Sequence, residues 1–480
     1  MADPTQEPKV PARTTPQKLM GAFGWAERMA AGGMTTSLGT GKMELSMAMR
    51  MMTPAYPQSW TQDIQSVISS CIPRVYCIKI LERKVFYCLA GGERVKSAGV
   101  RRASFQSIMN LYIIAGEKSG DIHGALLLKN LLRLMPGLKV RGLGGGGMHA
   151  LCPEVEDWAD EAAVIGFVEV AKKYGWFRKR FLALLEQIRR DQPDCLVLID
   201  YPGFNLRMAE KVRKYCPHTK IVYFISPQVW AWHRGRIPKM VRTLDLMMCI
   251  FPFEAPLFRE AGLKSEFVGH PLVDEIAAIR KEGVREPSLV GLFPGSRNRE
   301  IDRHFPVFAE VIRRLSRTRP DLKFETAASN EALAERMRGM ARKAGMSPDI
   351  FNITVGRYHE LMDRAAVGVV ASGTATMEAA LHRLPYMLVY KVPLLTYWMA
   401  RMLIKIRFIG MVNILAEKPV VKELVQFDFT PDKVIEEIER LLVPENRDAL
   451  LAEMKRASDR LGQGGAAEHA AQAVCRLLSE

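Results

Sequence analysis

The pattern of apolar and polar positions changes character at residue 109. Ahead of Val67 there is no sustained 3.6- or 2-residue alternation, and Gly, Pro and Ser recur without period. Residues 75–90 read as a short strand or hairpin with nothing after it to pair. From Met109 onward short apolar runs alternate with longer amphipathic ones, the signature of parallel sheets with crossover helices. The first half predicts strands at 111–115, 139–143, 195–200, 220–225, 246–251 and 265–268, with helices at 122–134, 177–191 and 206–215. The second predicts strands at 289–293, 323–327, 351–355, 368–371 and 386–390, with helices at 302–317, 330–344, 358–364 and 374–382. A join falls at 270–287, where Gly-His-Pro-Leu precedes a charged helix and Gly283 and Pro287 interrupt the chain. Helices near 431–442, 444–461 and 466–478 close the sequence and can pack back on the first half. The expectation is an α/β protein with two Rossmann-like lobes facing one cleft. Its parts are an N-terminal extension (1–108), a first lobe (109–275), a second lobe (276–440) and C-terminal helices (441–480).

Composition sharpens this in three ways. The 480 residues are 48% hydrophobic and 25% charged, ordinary for folded protein, and long enough for two or three cores. Net charge is +16, which favours anionic lipid surfaces, phosphorylated ligands or polyanions, and residues 1–108 carry 14 basic and 7 acidic side chains. With the apolar strand that opens at Met109, this marks the first 108 residues as an upstream, dispensable extension; a mobile tail or targeting segment is the alternative. The eight cysteines contain no CxxC pair, so they read as reduced thiols with no zinc site. No run reaches the roughly 18 apolar residues of a spanning helix. The nearest, 386–412, is interrupted by Lys391, Arg401, Lys405 and Arg407. The chain therefore reads as cytoplasmic and able to touch a membrane face.

Ligands of wound sheets sit at the carboxyl ends of strands, so the residues just after each strand are the candidates for chemistry. Gly116-Glu117-Lys118-Ser119-Gly120-Asp121 follows the first strand, and Gly116 and Gly120 let the backbone approach an anion at a helix start. Taken alone, it is also an ordinary capped turn. The Gly142-to-Met148 loop is almost bare backbone. Asp200 ends the apolar run Leu196-Val-Leu-Ile, where burial raises a carboxyl pKa and suits it to take a hydroxyl proton; the competing role is a helix cap. In the second half Pro294-Gly295-Ser296-Arg297 puts a turn, a hydroxyl and a guanidinium after a strand. Ser372-Gly373-Thr374 opens another helix, with Glu378 about one turn in, suited to a diphosphate and to sugar hydroxyls. No HExxH, no DxD at a strand end and no His/Cys cluster appears, so no metal or other cofactor is expected.

These loops, in this order, resemble those of the lipid-A-disaccharide synthases, membrane-associated inverting glycosyltransferases of the two-lobed GT-B type. The resemblance covers 109–480. It is carried by Ala115-Gly-Glu-Lys-Ser-Gly-Asp121, Gly166-Phe-Val-Glu-Val170, Ile199-Asp-Tyr-Pro-Gly-Phe-Asn-Leu206, Ser226-Pro-Gln-Val-Trp-Ala-Trp232, Pro252-Phe-Glu254, Gly269-His-Pro-Leu272, Pro294-Gly-Ser-Arg297, Ala371-Ser-Gly-Thr-Ala-Thr-Met-Glu378 and Asn413-Ile-Leu-Ala416. It implies transfer from UDP-2,3-diacylglucosamine to 2,3-diacylglucosamine 1-phosphate, giving a β(1→6) disaccharide 1-phosphate and UDP without a metal. By position it implies Asp200 as base with Glu117 beside it, and Arg297 offsetting charge on the departing diphosphate. Gly295, Ser296, Ser372, Gly373 and Thr374 become donor-side contacts, with Glu378 at the ribose and Asn413 as a further one. Gly116, Ser119 and Arg234 fall on the acceptor side. The chain departs from the family at His233, where Arg is usual, and at Gly145-Gly-Gly-Met148, where the family has Gly-Pro-Arg-Met. These departures leave the acceptor-phosphate contacts open, with Arg234 and Arg236 as candidates to take them over.

Lipid substrates imply a bilayer surface. Ile165, Phe167, Val168 and Trp176 among Lys172, Lys173, Arg178, Lys179 and Arg180 form one apolar-basic segment, and 397–409 forms a second. Each also reads as an ordinary amphipathic helix. The location implied is the cytoplasmic side of an inner membrane, peripherally held, and a homodimer stays open. Other readings are a GT-B enzyme on a soluble UDP-sugar, such as a UDP-GlcNAc epimerase, and a non-catalytic membrane adaptor. An NAD oxidoreductase lacks its GxGxxG and following acid, and nucleic acid lacks an aromatic-basic platform.

Overall fold

The computed structural model describes residues 75–80, 85–90, 109–162, 167–403 and 407–480. Strands β1 (Val75–Ile80) and β2 (Val85–Ala90) pair antiparallel as a hairpin of their own. The rest of the 1–108 extension lies outside the described residues, as does Ile165.

Residues Phe105–Glu480 form one compact unit holding two parallel sheets. The first contains β3 (Asn110–Ala115), β4 (Lys139–Gly144), β5 (Val155–Asp157), β6 (Cys195–Ile199), β7 (Lys220–Phe224), β8 (Leu246–Cys249) and β9 (Ser265–Phe267), in the order β5-β4-β3-β6-β7-β8-β9. Its helices are α1 (Lys118–Leu134), α2 (Gly146–Leu151), α3 (Ala159–Ala162), α4 (Phe167–Asp191), α5 (Pro202–Tyr215), α6 (Ile237–Thr243) and α7 (Glu254–Glu260). Helix α8 (Pro271–Ile279) leads into the second lobe. That sheet runs β12-β11-β10-β13-β14-β15, from β10 (Glu286–Phe293), β11 (Lys323–Ala328), β12 (Phe351–Val355), β13 (Ala365–Ala371), β14 (Tyr386–Tyr390) and β15 (Glu423–Val425). Its helices are α9 (Asn298–Thr318), α10 (Glu331–Lys343), α11 (Tyr358–Arg364), α12 (Thr374–Leu381), α13 (Leu394–Leu403) and α14 (Met411–Ala416). The chain closes with α15 (Pro431–Leu442), α16 (Pro444–Asp459) and α17 (Ala466–Ser479).

The central strands are buried throughout because helices cover both faces, which is why they read as unbroken apolar runs rather than alternating ones. Two strands escaped the sequence reading: β5 and β15 have three residues each and sit at sheet edges. Helix α4 starts ten residues earlier than its periodicity predicts. The last helices divide between the lobes. Leu450, Met454 and Ala457 of α16 join the second lobe's core, whereas Ala470, Ala473, Val474 and Leu477 of α17 cover the first sheet. The expected 441–480 block is thus two parts, and the expected 275/276 join lies within α8.

Candidate functional site

Both sheets reverse their winding beside their first strand. The chain runs outward from β3 to β5 and returns to β6 on the other side of β3; β10 and β13 repeat the arrangement. Loops after adjacent strands that depart in opposite directions leave a crevice between them, the usual ligand position in wound sheets. The loops after β3 and β6 carry Gly116–Gly120 and Asp200; those after β10 and β13 carry Gly295–Arg297 and Ser372–Thr374. Strand order thus gathers the scattered candidates into two pairs.

In the first lobe, Asp200 and Tyr201 both lie in the left-handed region, with φ of 43° and 48°. Two successive side-chain-bearing residues there cost on the order of 1–3 kcal/mol each, so neighbouring groups must hold the turn. They do: the Asp200 carbonyl accepts from the buried Tyr223 hydroxyl at 2.5 Å and from Asn205 Nδ2 at 2.8 Å. Burial, and then the charge of Glu117, push the Asp200 carboxyl from 3.8 up to about 6, against a hydrogen bond from the Tyr201 N–H. Glu117 itself is exposed at the start of α1 and caps nothing. Ser119 is exposed one residue into that helix.

Two glycine-rich features have internal partners. A side chain on Gly116 would meet the Tyr201 ring at 2.3 Å, so this glycine admits an aromatic ring against the backbone. The Gly142–Met148 loop is clamped by Asp121, whose carboxylate accepts from Gly145 N, Gly147 N and Met148 N at 2.8, 2.8 and 3.0 Å. Trp176 stacks on the buried Trp158 with ring centroids 5.9 Å apart, so it is tied into the lobe. The side chains of Phe167 and Val168 lie outside the described residues. Arg234 is exposed in a 3-10 turn, and Arg236 lies over the Trp232 ring at 5.8 Å.

In the second lobe the two turns differ. Glu300 fills the first, accepting from Ser296 N at 3.1 Å, Arg297 N at 3.3 Å and Arg297 Nη1 at 3.0 Å. The amides of Ser296 and Arg297 are therefore used, and the exposed guanidinium and the Ser296 hydroxyl are side-chain groups this turn offers an anion. The second turn is open: no side chain caps α12, and Gly373 has φ of 150°, a conformation for glycine alone. His304, fully buried on α9, ties the first of these turns to the end of β14. The Lys391 N–H donates to its Nε2 at 3.1 Å, so Nδ1–H donates to Pro294 O at 2.7 Å. Asn413 is not drawn to the cleft. Its amide bonds Val421 O, Glu423, Val420 N and Val421 N, all at 2.8 Å, which uses its whole capacity inside its own loop.

A chain of polar contacts connects the lobes. Tyr358 bonds Glu378 on α12, whose charge, after burial, raises the pKa of Glu275 on α8. Glu275 in turn lies 3.3 Å from His123 on α1. Burial lowers His123 to about 4, so this is a contact between a neutral imidazole and a carboxylate. Sequence reasoning missed His123, Glu275, Tyr358 and His304; the first two flank motifs it used, but their convergence depends on the lobe arrangement. Among the described residues no three His, Cys, Asp or Glu side chains converge as a metal site would require.

Two wound lobes, a strained strand-end carboxylate on one and an uncapped helix start beside a guanidinium on the other, define a GT-B-type glycosyltransferase architecture. The structure of UDP-GlcNAc 2-epimerase from Neisseria meningitidis bound to UDP-GlcNAc shares this fold, with a TM-score of 0.51 and 12% identity, over 78% of this chain and 100% of that one. A S. aureus MnaA-UDP co-structure does so at 0.51 and 15%, over 75% and 94%. Sequence comparison is more specific. The family model for lipid-A-disaccharide synthetase matches residues 111–476. Lipid-A-disaccharide synthases of Geobacter sulfurreducens and Syntrophus aciditrophicus are 37% and 38% identical, each over 77% of this chain and 97% of the relative. That of Coxiella burnetii (strain Dugway 5J108-111) is 35% identical over 77% and 98%. The chain belongs to the lipid-A-disaccharide synthase family and is a glycosyltransferase.

Proposed function

We propose that the protein joins UDP-2,3-diacylglucosamine to the 6-hydroxyl of 2,3-diacylglucosamine 1-phosphate, releasing UDP. The hydroxyl oxygen attacks the anomeric carbon on the face opposite the diphosphate as its proton passes to Asp200. The bond from that carbon to the diphosphate oxygen breaks, and UDP leaves with the electron pair. Arg297 and the amides at the start of α12 offset the charge that develops on the leaving group. Glu378, bonded by Tyr358, is the contact for the ribose hydroxyls, and Glu117 keeps the Asp200 proton affinity high.

The observation that carries this reading is the Asp200 carboxyl, pushed up to about 6 and held on a strained strand end at a switch point. A base with that pKa is ionised at neutral pH yet binds a proton readily. Turnover by Asp200→Asn, with UDP-donor affinity measured separately, tests it. Lost turnover with intact donor binding supports the assignment; near-normal turnover rejects it.

Work at a membrane surface fits the exposed apolar side chains of α13 and its neighbour: Leu395, Trp398 and Met402 at 75%, 58% and 74% exposed, and Phe427 at 63%. Arg401 and Arg407 stand exposed among them, a combination that favours anionic lipid. No helix among the described residues is long and apolar enough to cross a membrane. The supported mode is peripheral association with the inner membrane.

A further inference from the structure

Between α4, α5 and α6 lies a cavity of about 710 Å³ that no step above uses. Tyr201, the residue after Asp200, is part of its lining, which places the cavity beside the strand end that carries the proposed base. Its walls are apolar. Phe181 and Phe204 meet edge to face with centroids 5.2 Å apart, and Leu182 stays 48% exposed along the groove. Its margin is cationic: Arg178, Arg207 and Lys211 make no ion pair among the described residues, while Lys239 is paired with Glu210 at 2.6 Å. Solvated helix faces ordinarily balance such charges within the helix. An apolar trough, a margin with more cations than the one carboxylate of Glu210 offsets, and a place beside the residue that follows Asp200 match a lipid that carries phosphate.

We infer that this groove receives a fatty acyl chain of the acceptor. The inference rests on the proposed function, because it takes the acceptor to be an acylated sugar phosphate. The volume lies within the usual range of about 300–1,000 Å³ for pockets that bury most of a small ligand. The sugar sits at Asp200, the chain runs from Tyr201 between Phe181 and Leu182, and the marginal cations face phosphate. Bulk added at Gly203 fills the groove without disturbing the backbone: a Cβ there meets nothing within 4 Å, and no positive φ requires glycine.

The test compares Gly203→Phe and Leu182→Asp with the unaltered full chain, using acceptors that differ only in acyl length, in mixed micelles at fixed surface concentration. Acceptor KM and donor KM are both measured. In the unaltered protein, acceptor KM falls as the chain lengthens. In both variants that advantage of the long-chain over the short-chain acceptor shrinks at least tenfold, with donor KM unchanged. Full retention of the chain-length advantage in both variants overturns the groove. An equal rise in KM for short and long acceptors also overturns it, pointing to bilayer docking or misfolding instead. If the unaltered protein makes no disaccharide from any acceptor, the proposed function fails, and acceptor binding to Asp200→Asn then reads chain-length dependence without turnover.

Discussion

Replacing Asp200 with Asn should abolish turnover and at the same time stabilise the protein. The native carboxyl titrates at about 6 against an ordinary 3.8, so the native state binds its proton more tightly than the unfolded chain does. Above pH 6 native Asp200 is charged and buried, and the native state carries the whole penalty, on the order of 3 kcal/mol. As pH falls from 6 toward 3.8 the native group protonates first and the penalty shrinks, to about half at pH 5. Asn carries no charge at any pH, and it tolerates the φ of 43° as well as Asp does. Asp200→Asn should therefore unfold at higher urea than the parent at pH 8, and the gain should be visibly smaller at pH 5. The parent's kcat/KM should fall with unit slope below about pH 6, reaching about one-tenth of its plateau at pH 5. Lower stability of Asp200→Asn at pH 8, or a flat kcat/KM between pH 5 and 7, would refute the argument that burial tunes this carboxyl.

Glu117→Gln should keep turnover at pH 8 and move the acidic limb of kcat/KM downward, though not to 3.8, because burial is the larger cause of the Asp200 shift. Loss of turnover there would transfer the role of base to Glu117. Asp121→Ala strands three backbone amides and should cost about 3 kcal/mol in urea unfolding. Gly373→Ala forces a side chain into a glycine-only conformation and should weaken UDP binding more than tenfold in calorimetry, with the melting temperature lowered by several degrees and the fold retained. Changing Leu395 and Trp398 to Ser should reduce flotation with anionic liposomes more than changing Phe167 and Val168 does; the reverse order would place the bilayer against α4.

Much of this molecule was legible in its sequence because buried parallel strands leave unbroken apolar runs, and the residue ending such a run is at the carboxyl end of the sheet, where ligands sit. Asp200 was visible for that reason. What failed to show was long-range pairing. Asp121 and the Gly142–Met148 loop each read as a separate ligand loop, yet they are two halves of one clamp, 24 residues apart at their nearest contact. Gly116 was read as room for a ligand; the ring occupying that room belongs to Tyr201, 85 positions on. Asn413 carries a polar side chain in a family-like motif, and nothing local reveals that its hydrogen bonds are internal. Strand order, which pairs the four loops, leaves no mark on periodicity at all.

The return of α17 to the first sheet has a consequence for synthesis. Ala470, Val474 and Leu477 complete a hydrophobic layer whose other members begin at Leu111, more than 350 residues earlier. Until α17 leaves the ribosome, the part of that face beside β7 and β8 lacks its cover and only the α1 side is packed, while the second lobe already holds its own core up to Leu461. The lobe made second is thus the first able to close, and a chain stalled or cut near Gly462 presents a finished second lobe joined to a first lobe with an exposed, adhesive strip.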